Sequence, residues 1–265
     1  MVSDETAAQA YPQITLVTCS YNQGQFLEET IQSVLNQGYP NLEYIVIDGG
    51  SRDNSVEIIR RYEKQLAYWV SEPDGGQSDA LCKGFDRGTG EIFGWLCSDD
   101  LLEPGALLEV GQLFADNPEM DVVFGDTIFI DAKSNVTRRY KVFPFHRWLL
   151  LNTANYIPQP STFWRAKLYR AVGGLDRSRQ VCMDPEMFLR FSEVTRLHHV
   201  RRYWSRIRIY PEIKSVRLRK DGWVEHKKWE RKYLGDRSPI HRFVSRSTAK
   251  VIRIGYKVGL GCYWP

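Results

Sequence analysis

The sequence predicts an α/β protein: a central, mostly parallel sheet flanked by helices, with a basic helical extension at its C-terminal end. Three observations carry this. Short apolar, β-branched runs alternate with segments of 3.6-residue periodicity through the first 125 residues. The strand candidates are continuously apolar rather than alternating, as in a sheet covered on both faces. The positive charge is concentrated at one end: residues 200–265 hold 18 of the 36 Lys and Arg but 5 of the 32 Asp and Glu, an excess of 13 positive charges.

The elements follow in order. "ITLVT" (14–18) is a strand and "FLEETIQSVLNQ" (26–37) a helix with apolar positions at 27, 31, 34 and 35. "YIVID" (44–48) is a second strand and "SVEIIRRYEKQL" (55–66) a second helix. "AYWV" (67–70) leads to the helix "SDALCKGFDRG" (78–88), and "EIFGWL" (91–96) to a helix beginning near Pro104. "DVVFGD" (121–126) closes the series, which βαβ units would wind right-handed. Beyond it, residues 126–143 read as a hairpin turning near Ser134-Asn135, and 161–174 as a strand and a helix stopped by glycines. "MDPEMFLRFSEV" (183–194) reads as a helix with Asp184 as its cap, Pro185 at its first position and Glu186 at its positive end.

With 43% hydrophobic and 26% charged residues in 265, the chain can bury a sizeable core. Five scattered cysteines without CxxC spacing argue against zinc clusters and a disulfide framework. Residues 1–10 lack the basic and apolar regions of a secretory leader, and no apolar run reaches the roughly 20 residues of a membrane span. A cytoplasmic protein is expected, with residues 1–11 disordered. The five histidines have no ligand spacing, and Trp69, Trp95 and Trp164 read as core residues.

Ligands of open parallel sheets bind beyond the carboxyl ends of the strands. Those ends read "TCSYN" (18–22), "DGGSRD" (48–53), "SEPDGGQSDA" (71–80) and "CSDD" (97–100), bringing Asp48, Asp74, Asp79, Asp99 and Asp100 to one rim. Such a gathering of hard oxygen ligands calls for Mg²⁺ or Mn²⁺ rather than zinc. Neither GxxxxGK[ST] nor GxGxxG is present after the first strand. A nucleotide here would therefore be held as a metal-bridged diphosphate.

Four ordered stretches, "VTCSYNQGQFLEETIQSVLNQ", "EYIVIDGGSRDNSVEII", "YWVSEPDGGQSDALCKGF" and "GEIFGWLCSDDLLEPGAL", resemble the nucleotide-sugar half of family-2 glycosyltransferases with the Rossmann-like GT-A fold. "PQPSTFWRAKLYRAVGGLD" and "MDPEMFLRF" resemble the acceptor half. The resemblance divides the chain into a nucleotide-sugar half (12–125), an acceptor half (126–215) and a basic extension (216–265). It implies that Asp48 binds the base, with Thr18, Ser20 and Tyr21 lining that pocket, and that Asp79 reaches ribose or diphosphate. Ser98 and Asp99 would meet the donor, Asp99 and Asp100 the metal, and Asp184 would be the catalytic base. The implied reaction moves a sugar, with inversion, from a UDP-, GDP- or dTDP-linked donor to a glycan or lipid-linked acceptor in cell-surface polysaccharide synthesis.

Two departures stand out. Cys97 replaces the first Asp of the DxD motif, and Arg208 and Tyr210 stand where the family places an RxH histidine. A non-catalytic nucleotide-sugar binder and a sugar nucleotidyltransferase are the rival readings, though "CSYNQGQF" lacks the Gly-rich basic loop the latter needs. The tail, with "WVEHKKWERKYLG" (223–235) and "IHRFVSRSTAKVIRIGYKV" (240–258), reads as amphipathic helices for an anionic membrane on the inner face, and equally as solvated helices packing one stripe on the body. No nucleic-acid-binding motif accompanies its charge.

Overall fold

The structure, a computed structural model, describes residues 11–261. Of the N-terminal segment expected to be disordered, only Tyr11 falls within the described residues, its ring edge-on to Tyr39.

Four strands build the first half: β1 (Ile14–Ser20), β2 (Leu42–Asp48), β3 (Tyr68–Ser71) and β4 (Ile92–Cys97). They pair in parallel in the order β3-β2-β1-β4. Their crossovers are the helices α1 (Gly24–Leu35), α2 (Ser55–Tyr62) and α3 (Gln77–Arg87). The strand alternation explains why both kinds of position are apolar. Val17, Ile45, Ile47, Phe93 and Trp95 face α3 and one core; Leu16, Tyr44, Val46, Ile92 and Leu96 face α1, α2 and a second core.

The second half mixes directions. β5 (Leu101–Leu102) precedes helix α4 (Ala106–Asp116), which starts after Gly105, in a left-handed conformation, rather than at Pro104. β6 (Val122–Ile130) does not lie beside β4. β8 (Thr162–Arg165) is inserted between them, antiparallel to both. The first half is thus parallel throughout, and the sheet becomes mixed beyond β4. The expected hairpin is β6 with β7 (Val136–Tyr140), turned by Asp131, whose carboxylate accepts from the amides of Lys133 and Asn135. Helix α5 (Arg147–Asn152) covers this side. After β8, helix α6 (Ala166–Ala171) ends at Gly173 and Gly174, both at positive φ, with the Gly174 amide bonded back to Tyr169 O.

Helix α7 (Met183–Val194) leads into β9 (Leu197–Arg208), which pairs in parallel with β6. The first part of the basic tail is therefore a strand of the central sheet. Three helices follow: α8 (Lys214–Arg217), α9 (Arg219–Leu234) and α10 (Pro239–Gly259). Trp229 of α9 and Ala249 of α10 are buried in the same core as α3 and α7, so the extension packs on the body. Trp95 and Trp164 meet edge to face in that core, while Trp69 packs at the margin of the other.

Candidate active site

Because β1 to β4 run the same way, their carboxyl ends share one edge, and the polar segments named above gather there. Asp48 ends β2 fully buried, and its charge is met by dipoles: it accepts from the amides of Gly50 (3.2 Å) and Ser51 (2.8 Å) and the hydroxyls of Ser51 (2.5 Å) and Ser71 (2.7 Å). Gly50 sits at φ 77, where a side chain would be strained. Asn22 clamps the neighbouring loops, donating its amide to Ser51 and accepting from the amide of Arg52.

Ser20 is 5% exposed at the end of β1, and its hydroxyl has no protein partner. Tyr21 projects outward at 61% exposure. Thr18 differs from the expectation: it has no exposed surface and shares a hydrogen bond with Tyr44 Oη (3.0 Å), so it supports the rim from below. Asp79 also differs. Its carboxylate is taken by the Gly75 amide, Arg177 (2.5 Å) and Lys83 (3.7 Å), which hold it below the usual carboxylate range. It ties the 74–79 loop to residues 176–180 instead of standing free for ribose. Ser78 and Gln180 reinforce that tie by donating to Arg179 O and Gly75 O.

After β4, the ligand atoms of Cys97, Asp99 and Asp100 lie within 4.8 Å of one another. Asp100 accepts from the Arg208 amide (2.9 Å), and Asp99 from Tyr210 Oη (2.8 Å). Arg208 is fully buried and donates to Asp99 O, Asp131 O, Ser134 and Glu29, pinning the acidic turn to the hairpin and to α1. Ser98 is buried beneath this turn, its carbonyl accepting from Thr30 Oγ1. Burial pushes the carboxyl of Asp99 up, and burial beside Asp99 pushes that of Asp100 well up. Two adjacent carboxyls, one buried and one half-buried, with a thiol alongside and Arg208 as the nearby cation, fit a divalent cation. Oxygen ligands suit Mg²⁺ or Mn²⁺, and the softer sulfur shifts the balance toward Mn²⁺.

Cys97 lies directly opposite Cys19 of β1, and their thiols interact: the contact raises Cys97 and lowers Cys19. Gln77 donates to Cys97 Sγ (3.1 Å) and accepts from Lys214 Nζ (2.8 Å). Lys214, half-buried at the start of α8, exerts its charge on Cys19, Cys97, Asp74 and Asp184 alike. The sequence reading passed over it, since one Lys in a basic tail carries no distinguishing signal.

Asp184 occupies the first turn of α7 but does not cap it. The amides of Gln180, Val181 and Cys182 donate instead to the Glu225 carboxylate of α9, at 2.7, 3.2 and 2.9 Å. Asp184 accepts instead from Asn155 Nδ2 (2.7 Å). Burial pushes its carboxyl up to about 7, against the Asn155 bond and the Lys214 charge. A carboxyl with that affinity for a proton, held in fixed orientation, is suited to general-base work near neutral pH.

This sheet, with a nucleotide-type rim and an acidic turn after its fourth strand, is the architecture of GT-A glycosyltransferases. S. aureus TarS 1–349, solved in complex with UDP-GlcNAc, superposes with a TM-score of 0.66 at 15% identity, covering 89% of this chain and 71% of that one. The mannosyltransferase PcManGT from Pyrobaculum calidifontis, solved with GDP-Man and Mn²⁺, gives 0.63 at 17%, covering 93% and 75%. The sequence model of glycosyl transferase family 2 matches residues 15–173, and the chain belongs to that family. An uncharacterized glycosyltransferase of Mycobacterium tuberculosis is 30% identical over 181 residues, 68% of each chain. The O-antigen biosynthesis protein RfbC of Myxococcus xanthus is 28% identical over 193 residues, 69% of this chain and 15% of that one.

Proposed function

We propose that this glycosyltransferase is an inverting enzyme that moves a hexosyl group from a nucleoside-diphosphate sugar to a hydroxyl of a glycan or lipid-linked acceptor in cell-surface polysaccharide synthesis. The observation that carries the reading is the presence of two unlike sites: the Cys97, Asp99 and Asp100 cluster, and the proton-avid Asp184 held by Asn155.

The roles follow from the chemistry of each group. Ser20, with its unpartnered hydroxyl, and the Asp48 turn receive the nucleoside. Asp99 and Asp100 hold Mn²⁺ or Mg²⁺, with Cys97 beside them. When bound, that ion neutralises charge on the departing diphosphate. Lys214 adds a fixed positive charge to the same region. Asp184, oriented by Asn155, takes the proton of the acceptor hydroxyl as it attacks the anomeric carbon opposite the leaving group. General-base help of this kind contributes about 10²–10⁴-fold. The enzyme works at the cytoplasmic face of a membrane, against which the basic extension lies. No helix among the described residues is long and apolar enough to cross one.

Calorimetric titration of UDP, GDP and dTDP, with and without Mn²⁺, on wild type and Asp99→Ala tests the donor site. One nucleotide should bind tightly, needing both the metal and Asp99, and transfer to a model acceptor should invert the anomeric centre by NMR. Binding indifferent to both would overturn the reading and favour a donor-binding relative without catalysis.

A further inference from the structure

We propose that α10 is a membrane-docking helix whose outward apolar stripe enters the interface of an anionic bilayer. This deepens the reading of a membrane-borne acceptor and rests on it for its purpose, although the docking itself needs neither donor nor acceptor.

The helix has two opposed faces. One packs on the body: Ser245 and Ala249 are buried, Tyr256 stacks on Phe143 with ring centroids 4.7 Å apart, and Arg246 pairs with Glu230 at 2.7 Å. The other carries Ile240, Phe243, Val244, Val251, Ile254 and Val258, at 77, 73, 54, 68, 43 and 59% exposure. These positions recur at helical spacing on the side away from Ala249 and run the length of a 21-residue helix, about 30 Å. Ser247 is the single small polar residue within the stripe. Isolated exposed apolar residues are ordinary on a soluble surface; an apolar stripe of this length, broken only at Ser247, marks a face with an occupant.

Charge identifies the occupant. The helix carries Arg242, Arg246, Lys250, Arg253 and Lys257 and no Asp or Glu. A second copy docked through the same face about a two-fold axis would bring like charges together, because such an interface is self-complementary. An anionic lipid surface meets both features at once: Arg246 and Arg253 are engaged on the body, Arg242 and Lys250 are left to meet headgroups, and the acyl boundary takes the stripe. The helix lies on the surface rather than across it, its inner face being occupied by protein.

This helix also braces the catalytic side. Arg253 Nη1 donates to Ala154 O (2.8 Å), and the next residue, Asn155, orients Asp184. On the adjoining α9, Glu225 holds the amides at the start of the base-bearing helix. Docking through α10 therefore anchors the acceptor side of the cleft to the lipid surface, where a lipid-linked hydroxyl is presented.

The test is co-sedimentation of the full chain with vesicles of neutral phosphatidylcholine or of the same lipid with about 30 mol % phosphatidylglycerol. Binding to the anionic vesicles should exceed binding to neutral ones by at least about tenfold and weaken as salt is raised. The triple variant Ile240→Ser, Val251→Ser, Val258→Ser should lose about a hundredfold in vesicle affinity while its nucleotide titration stays that of the wild type. Equal binding to both vesicles, or a triple variant that binds as well as wild type, overturns the proposal. So does a concentration-dependent dimer in sedimentation velocity that the triple variant abolishes, since the face then belongs to a second copy. The nucleotide titration reads the donor site separately, so loss of vesicle binding with intact donor binding leaves the enzymatic reading standing.

Discussion

Replacing Asp184 with Asn removes a carboxylate whose ionised form the fold disfavours while keeping its shape and its bond from Asn155. Burial moves this carboxyl from its ordinary 3.8 to about 7, a differential of about 4 kcal/mol in favour of the protonated form. The side chain keeps partial contact with solvent, which reduces the figure to about 2 kcal/mol. The sign follows from linkage. A carboxyl raised in the folded state binds its proton more tightly there, so its contribution is intact below 3.8 and is lost as pH rises to about 7. The wild type should therefore lose stability across that window, and Asp184→Asn should not. In thermal melts from pH 4.5 to 8, the variant's advantage should grow with pH and level off near about 4–8 °C above pH 7. Above pH 7, where the wild-type carboxyl is ionised, transfer should fall by about 10²–10⁴-fold, because the amide cannot take the acceptor's proton. Wild-type kcat/KM should climb with pH toward a plateau above about 7. A melting difference flat in pH, or a variant that retains turnover, would refute the base assignment and its electrostatic origin together.

Substitutions at three further positions probe the surroundings. Lys214→Met should raise the donor KM and lower turnover about 10–100-fold, with Lys214→Arg recovering part of the loss; steady-state kinetics decide. Arg208→Met should cost about 3–5 kcal/mol in denaturant melts, since it strips the acidic turn of its buried cation and orphans the carbonyls of Asp99 and Asp131. Cys97→Asp should shift metal preference from Mn²⁺ toward Mg²⁺ in activity titrations, because it exchanges a soft ligand for a hard one.

Much of the fold was legible because its physics is local. The alternation of strand and helix periods, the unbroken apolar strands and the glycine stops at 173 and 174 place β1 to β4, their helices and α6 without long-range information. What misled was anything needing a partner distant in sequence. Asp184 reads as a helix cap because Asp commonly is one, but the helix begins at Met183, and Glu225, 41 residues on, binds the amides of the segment leading into it. The family resemblance gives Thr18 and Asp79 donor roles, and it carries no sign of the hydrogen bonds they make with Tyr44 and Arg177.

The amino-acid order by itself determined the parallel half-sheet and the collection of polar turns on one rim, since successive βαβ units must point their strand ends the same way. It also determined that an apolar, basic helix would follow. Tertiary structure alone decided that β8 parts β4 from β6, that Arg208 and Tyr210 close on the acidic turn, and that Lys214 reaches Gln77 beside Cys97. These depend on which distant segments share a low-dielectric interior, where a buried charge or donor must find a partner, and residue spacing carries no record of that choice.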